Sequence, residues 1–155
     1  MSKEYLAGDK AFERILLRPE SFWGERSIDL LTSCRVSKVD AMEKKVTLAN
    51  DDEVGFGKLI WATGGSPRML NCSGSQARNI HAVRSRADVD KIMAALPTTE
   101  NVVVIGGGYI GLEAAAVLTK LDKKVTIIES LDRVLSRVAG ETLSRFYEAQ
   151  HRSHG

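Results

Sequence analysis

The feature that most constrains this 155-residue chain is a glycine triplet directly after a short apolar run. Val102–Ile105 is β-branched and apolar, which is typical of a strand buried on both faces of a parallel sheet. Gly106, Gly108 and Gly111 follow as G-x-G-x-x-G. The first glycine permits a tight turn, the second allows a pyrophosphate to approach the backbone, and the third allows close helix packing. The pattern predicts the start of a dinucleotide-binding unit.

The residues after the glycines complete this unit. Strong helix formers predict a helix from Tyr109 to Leu121, closed by Asp122, and then a second strand over Lys124–Ile128. Glu129 follows that strand, about twenty residues past the glycines, where a carboxylate can accept both ribose hydroxyls of an adenosine. It favours NAD over NADP, because it repels a 2′-phosphate, although Arg133 nearby is able to soften this preference.

The first part of the chain has a different pattern. Residues 1–26 predict a broken helical segment around Pro19, and residues 28–61 alternate in short runs separated by polar turns. The alternation predicts an antiparallel meander that feeds into a buried strand. Its four strands are expected at Ile28–Thr32, Cys34–Val39, Lys45–Ala49 and Gly57–Trp61. The small residues of Ala62–Arg68 then form a turn where a ligand is able to come close.

The connecting segments complete the expected elements. Leu70–Ala77 is polar and suits a crossing between domains, and Asn79–Val83 suits a short strand. Ser85 and Asp88 form a capping box for a helix that Pro97 ends. At the C-terminal side, a partly buried loop over Ser130–Gly140 and a helix over Glu141–His151 are expected.

Composition excludes several functional classes. The net charge is +2 without a basic block, which argues against nucleic acid and membrane surfaces as partners. No run approaches about twenty apolar residues, and the polar opening lacks a signal peptide's apolar core, so a cytoplasmic location is predicted. Cys34 and Cys72 are interpreted as plain thiols. His151 and His154 lack acidic or cysteine partners, so no metal site is predicted.

Several motifs, in order, resemble one family: the FAD- and NADH-dependent ferredoxin reductases of the putidaredoxin and rhodocoxin reductase type, within the pyridine nucleotide-disulfide oxidoreductase superfamily. The resemblance covers essentially the whole chain. The motifs that carry it are Ser2–Leu6, Arg18–Trp23, Leu59–Gly65 with Pro67–Arg68, Val83–Ser85, Val104–Glu113 and Phe146–Glu148.

The resemblance implies an α/β two-dinucleotide-binding flavoprotein fold, present here in part. Residues 1–98 would be the C-terminal portion of the first FAD-binding segment, an antiparallel meander with the crossover. Residues 99–155 would be the N-terminal part of the NAD-binding Rossmann-like domain, with its first βαβ unit.

The resemblance also assigns the site. Residues near FAD would be Lys3, Val36, Thr63, Gly64 and Arg84. Residues that bind NAD would be Gly106, Gly107, Gly108, Tyr109, Ile110, Gly111 and Glu129. Glu113 would approach the flavin from the NAD side and pair with Lys3, and these two would be the catalytic residues. Read without the resemblance, Glu113 is a carboxylate stabilised by a helix N-terminus.

The implied activity is that of an NADH:ferredoxin oxidoreductase. Hydride would pass from NADH to flavin N5, and single electrons would then pass to a [2Fe-2S] ferredoxin; the protein would align and tune the two cofactors. Cys-x4-Cys, the redox pair of disulfide reductases, does not occur in the sequence. A G-x-G-x-x-G for FAD is also absent before Lys3, so we expect an internal fragment. Alone, it is expected to bind FAD negligibly and NAD weakly, without turnover.

Three alternatives remain open from the sequence. One is another FAD/NAD reductase of the superfamily, such as a monodehydroascorbate reductase, a nitrite reductase flavin subunit or an apoptosis-inducing-factor-like NADH oxidase. A second is a non-catalytic NAD-binding module, which predicts a self-sufficient fold that binds NAD without flavin. A third is a truncated chain without a function of its own, which predicts exposed apolar strand edges.

Overall fold

The chain folds into two units, which are described separately here. The structure is a computed structural model that describes residues 3–155. One unit combines the chain up to Leu16 with Ser66–Gly155, and the other is Leu17–Gly65. The predicted division at residues 98 and 99 stays a prediction.

The Leu17–Gly65 unit contains one short helix and a three-stranded antiparallel sheet. The elements are α1 (Glu20–Gly24), β1 (Val36–Asp40), β2 (Lys45–Leu48) and β3 (Glu53–Gly55), with β2 in the middle of the sheet. Asp40 shapes the first turn, since its Oδ1 accepts hydrogen bonds from the backbone N–H groups of Met42 and Glu43 at 3.1 and 2.9 Å. The predicted meander is therefore confirmed in its central strands and in the turn between them.

Two of the four expected strands do not form. Ile28–Thr32 and Gly57–Trp61 have no regular structure, and Ile60 and Trp61 are 87% and 71% exposed, so the predicted buried strand is wrong. A strand requires a neighbour that pairs with its backbone N–H and C=O groups. The described part of the chain provides none for these two runs. Alternation identified residues suited to a strand but could not identify the pairing partner.

The other unit contains a helix followed by a strand–helix–strand–helix series. Its elements are α2 (Arg86–Ala95), β4 (Asn101–Ile105), α3 (Tyr109–Lys120), β5 (Lys124–Ile128) and α4 (Glu141–Ser153), with 3-10 turns at Phe12–Ile15 and Leu96–Thr98. Strands β4 and β5 are parallel, in a register that pairs Asn101 with Lys124 and Ile105 with Ile128. The predicted mixed α/β fold, with an antiparallel sheet and a parallel βαβ unit, is confirmed. The predicted burial of β4 on both faces is wrong, because Val103 and Ile105 on one face are 57% and 59% exposed and no described element covers them.

Local signals explain the helix ends. Both hydrogen bonds of the capping box between Ser85 and Asp88 are present at the start of α2. Asp122 has φ +58° just after α3, the left-handed geometry expected of the closing residue. The short strand expected at Asn79–Val83 does not form, because no neighbouring strand among the described residues pairs with it.

Two small apolar clusters hold this unit together. In the first, Leu6 from the N-terminal segment packs with Val89 of α2 and Ala114 of α3. In the second, Leu112 of α3 packs with Val134 and Leu135 from the loop after β5. Both clusters use α3, so this helix joins the N-terminal segment to the glycine-rich region. No helix among the described residues is long and apolar enough to span a membrane.

Candidate nucleotide and flavin site

The glycine turn between β4 and α3 has a geometry that only glycine permits at two positions. Gly106 has φ +110°, a conformation that side chains with a Cβ rarely adopt, and its N–H donates to the Ile128 carbonyl at 2.8 Å. A Cβ on Gly111 would lie 1.9 Å from the Gly106 carbonyl oxygen. The helix therefore passes over the turn at a distance that excludes any larger residue.

Gly108 differs from Gly111 because it faces open space, and from Gly106 because its φ of −83° is not a left-handed one. It caps the N-terminus of α3, and a Cβ built on it would meet no protein atom within 4 Å. The first N–H groups of α3 and the positive end of its dipole lie at this position. The turn thus leaves room for a diphosphate where the backbone is best able to bind one.

Glu129, at the end of β5, is held against the turn by its own carboxylate. Oε2 accepts the Gly107 N–H at 2.7 Å, and Oε1 accepts the Leu131 N–H at 3.0 Å and the Ser130 hydroxyl at 3.2 Å. The backbone hydrogen bonds from Leu131 and Gly107 hold the pKa of Glu129 below its usual value, so it is ionised at neutral pH. Three of about four lone-pair positions are occupied, which leaves one position on Oε2 for a ribose hydroxyl. Rotation of the Ser130 side chain would free a second position, on Oε1.

A cavity of about 380 Å³ opens over the turn. Its lining includes the three residues Gly106, Gly107 and Gly108, with Glu129 at one side and Arg137 from the following loop. A larger cavity of about 500 Å³ lies between α3, β5 and α4, but it does not include the glycine turn. We place the nucleotide-type site in the smaller cavity, because that is where the helix N-terminus and the carboxylate meet.

Arg133, the sequence candidate for contact with a 2′-phosphate, does not line the smaller cavity. Its guanidinium donates to the Ala139 carbonyl at 2.8 Å and to the Ser144 hydroxyl at 2.6 Å. The cation that does line the cavity is Arg137. Sequence reasoning missed Arg137, because distance along the chain from Glu129 was the only signal considered.

Lys3 and Glu113 form an ion pair with 2.9 Å between Nζ and Oε1. The hydrogen bond and the charge of Glu113 raise the pKa of Lys3. Glu113 lies beyond the first turn of α3, where the effect of the helix dipole has weakened. The helix N-terminus therefore stabilises the Glu113 carboxylate less than the sequence suggested. The pair joins the N-terminal segment to the helix that follows the glycine turn.

The N-terminal segment is fixed in place next to this pair. The Ala7 N–H donates to the Lys3 carbonyl at 2.9 Å, and Leu6 is buried at 2% exposure. The Tyr5 hydroxyl donates to Asp90 of α2 at 2.5 Å. These contacts determine where the Lys3 side chain begins. Ser2, the first residue of the N-terminal motif, lies outside the described residues.

The remaining residues expected near flavin are spread over both units. Val36 begins β1 and is half exposed, while Thr63 and Gly64 lie in an irregular, exposed segment of the same unit. Gly64 has φ +70°, so its turn requires glycine or a similarly tolerant residue. Arg84 lies in the other unit, just before α2, and is exposed. The structure brings together Lys3 with Glu113, and the glycines with Glu129.

The described residues include suitable groups for each of the two cofactors that the sequence implies. For a dinucleotide, the open face at Gly108 has room for a diphosphate, and the ionised Glu129 is an acceptor of the kind that a ribose hydroxyl needs. For a flavin, the Lys3 ammonium has three N–H donors and Glu113 Oε1 accepts one, so donors remain for a ring acceptor. No group of three or more potential metal ligands occurs among the described residues.

The sequence model of the pyridine nucleotide-disulphide oxidoreductase family matches residues 1–155. The chain belongs to this family. Its members bind FAD and a pyridine nucleotide, which agrees with the predicted two-dinucleotide flavoprotein fold. The family assignment made from the motifs is therefore confirmed.

Among its relatives, the chain is 56% identical over 155 residues to a ferredoxin–NAD(P)(+) reductase of Sphingomonas sp.. It is equally similar to the ferredoxin reductase subunit of a 5,5′-dehydrodivanillate O-demethylase of Sphingobium sp.. Both alignments include the whole chain but only 37% and 38% of the relatives. The chain thus spans little more than a third of the length of these reductases.

Solved structures agree with these relatives. The chain superposes with a TM-score of 0.93 on the ferredoxin reductase for the CYP199A2 system of Rhodopseudomonas palustris, at 30% identity. It superposes with a TM-score of 0.91 on putidaredoxin reductase in a covalent complex with putidaredoxin, at 36% identity. Each match covers 99% of this chain and 38% of the other.

Proposed function

We propose that this chain forms the nicotinamide-nucleotide site and part of the flavin site of an FAD-dependent NADH:ferredoxin oxidoreductase. The observation that supports this most strongly is the Lys3–Glu113 ion pair, 2.9 Å long, on the helix that begins at the glycine turn. A simple nucleotide-binding module has no need of this pair. Relatives named ferredoxin reductases, 56% identical over the whole chain, give the proposal its second support.

In this proposal each residue has a definite task. The α3 N-terminus at Gly108 binds the diphosphate, and Glu129 accepts a hydroxyl of the adenosine ribose. Lys3 donates a hydrogen bond toward the flavin ring, and Glu113 holds the Lys3 ammonium in position. Arg84 provides a further contact to FAD. The bound flavin and nicotinamide would supply the hydride chemistry, and the protein aligns them.

The remaining flavin contacts, the partner and the location are also part of the proposal. Val36 and the Thr63–Gly64 turn lie beside FAD. Tyr109 and Ile110 line the nicotinamide side, together with Gly107 and Gly111. A [2Fe-2S] ferredoxin accepts the electrons, and the enzyme works in the cytoplasm. Glu129 favours NADH over NADPH, since its charge opposes a 2′-phosphate.

The test is an absorbance spectrum of the purified protein after incubation with FAD and desalting. Addition of NADH without oxygen is expected to bleach a retained flavin when the protein is purified at its natural length. The isolated 155-residue chain is expected to retain little flavin. Lys3→Met is expected to slow bleaching by roughly tenfold or more, an effect typical of a lost charged contact at a reacting centre. Lys10→Met, which removes a partly exposed lysine paired with Glu4, is the matched control.

Two results would contradict the proposal. Nucleotide binding without flavin at natural length would favour the non-catalytic module. Bleaching at the same rate in Lys3→Met and Lys10→Met would remove Lys3 from the reaction and leave the pair with a structural role.

A further inference from the structure

A residue with a strained backbone, in the loop that follows β5, contacts the glycine turn. Leu135 has φ +55°, a left-handed conformation that costs a leucine about 1 kcal/mol, and its side chain is 5% exposed. Its N–H donates to the Gly107 carbonyl at 2.9 Å. Such strain persists only where the surrounding contacts hold the residue in place.

Both the N–H and the carbonyl of Gly107 are therefore hydrogen-bonded. Its N–H donates to Glu129, as described above, and its carbonyl accepts from Leu135. A Cβ on Gly107 would lie 2.8 Å from Cγ1 of Val134, so the loop packs directly on this glycine. The orientation of the turn therefore depends on where the loop places Val134 and Leu135.

The loop is fixed by Arg133. The guanidinium donates to the carbonyls of Ala139 at 2.8 Å and Ser136 at 3.3 Å, and to the hydroxyl of Ser144 at 2.6 Å. Ser144 lies on α4 and is fully buried. The planar fork of arginine suits several simultaneous acceptors better than a lysine ammonium does. The guanidinium thus joins both ends of the Leu135 turn to a rigid helix.

Glu148 provides a second connection from α4 to the same loop. Its Oε1 accepts the Val134 N–H at 3.2 Å, and the carboxylate is paired with Arg145 at 3.0 Å. Ser144 and Glu148, one turn apart on α4, therefore hold Arg133 and Val134, the two residues that precede Leu135. The loop is fixed by α4 and not only by its contact with the glycine turn.

We propose that Arg133 is a positioning residue for the nucleotide site. By joining the loop to Ser144, it keeps Leu135 on the Gly107 carbonyl and so maintains the geometry of the turn and of Glu129. The proposal rests on the proposed nucleotide site. It assigns Arg133 no contact with the nucleotide, so Arg133 does not discriminate between a ribose 2′-hydroxyl and a 2′-phosphate.

Calorimetric titration of the protein at its natural length with ADP-ribose and with 2′-phospho-ADP-ribose tests this assignment. Arg133→Met and Ser144→Ala are each expected to raise both Kd values by about tenfold, the effect of one lost charge-assisted hydrogen bond. The ratio of the two Kd values stays unchanged, and Arg133→Lys recovers part of the loss. A loss confined to the 2′-phosphorylated ligand would instead make Arg133 a phosphate ligand and overturn the proposal.

Amide hydrogen exchange gives a readout that does not depend on the ligand. Exchange at Leu135 is expected to be at least about tenfold faster in Arg133→Met and Ser144→Ala than in the wild type. Arg137→Met is the matched control for exchange, because it removes the same charge from the same loop and the Arg137 side chain is exposed. It should leave Leu135 protected.

The outcomes separate the two proposals. If the wild type binds ADP-ribose and both variants bind it equally well, the positioning role is overturned and the proposed function stands. If the wild type binds neither ligand, the proposed function fails, and the positioning role fails with it. If Arg133→Met does not fold, Ser144→Ala carries the same test, because it removes one hydroxyl and leaves the guanidinium in place.

Discussion

The region from Asn101 to Gly155 buries more of its apolar residues than the unit from Leu17 to Gly65 does. In the first, Leu112, Leu118 and Leu135 are buried, although Val103 and Ile105 on one face of β4 are exposed. In the second, Leu48 alone among the described residues is buried, and large side chains such as Ile60 remain exposed. Both regions contain similar short apolar runs, so the difference does not come from composition.

The difference comes from where the packing partners lie along the chain. Strand β4 meets α3 and β5 within thirty residues, so a strand, its helix and its neighbouring strand are consecutive. The run Gly57–Trp61 has the composition of a buried strand but no neighbour among the described residues. A region whose partners are local can bury one face of its sheet by itself, whereas the run Gly57–Trp61 buries neither face.

The largest expected effect on stability comes from a substitution at Gly111, where α3 crosses the glycine turn. Gly111→Val places a Cβ where the Gly106 carbonyl oxygen lies 1.9 Å away, and backbone atoms cannot move aside as a flexible side chain can. We expect a loss of at least about 4 kcal/mol in the free energy of unfolding, measured by urea denaturation at natural length.

Gly108→Ala is the matched control for this change. The added methyl group meets no protein atom within 4 Å, so the expected loss of stability is below about 1 kcal/mol, as for alanine at a helix N-cap. The same methyl group enters the space assigned to the diphosphate, so nucleotide affinity should fall. Equal destabilisation by the two substitutions would show that the close packing of α3 on the glycine turn does not stabilise this region.

A pair of core and surface truncations addresses the comparison directly. Leu118→Ala removes a side chain that is 4% exposed and should cost about 3 kcal/mol, whereas Ile60→Ala should cost less than about 0.5 kcal/mol. Thermal and urea unfolding would measure both. A cost at Ile60 similar to that at Leu118 would show that another part of the protein at natural length covers Ile60, and the contrast between the two regions would then disappear.

The same contrast explains which features the sequence could predict. The βαβ unit, the capping box at Ser85 and the left-handed Asp122 follow from local rules, and the structure agrees with each. The strand at Gly57–Trp61 was predicted wrongly, because alternation does not reveal whether a pairing partner exists. The role of Arg133 was missed because its partner, Ser144, is eleven residues away on α4 and has a side chain of a type common on protein surfaces.

The smallest expected effect concerns carboxylates that accept backbone N–H groups, a device found in both regions. The pKa of Glu129 is lowered first by the Leu131 and Gly107 N–H groups, and that of Asp40 first by the Glu43 N–H. A carboxyl whose pKa is lower in the folded state stabilises the fold above its unfolded pKa. This contribution is lost as pH falls through the folded pKa.

Glu129→Gln should therefore cost about 1 kcal/mol at pH 7, and its difference from the wild type should shrink as the pH falls from about 5 to 3. Asp40→Asn should show the same direction of pH dependence in the Leu17–Gly65 unit, because its hydrogen bonds lie within one turn. Urea unfolding at several pH values measures both. A pH-dependent loss at Glu129 with none at Asp40 would mean that even this local interaction depends on the packing around it, and the difference between the regions would extend from their cores to their turns.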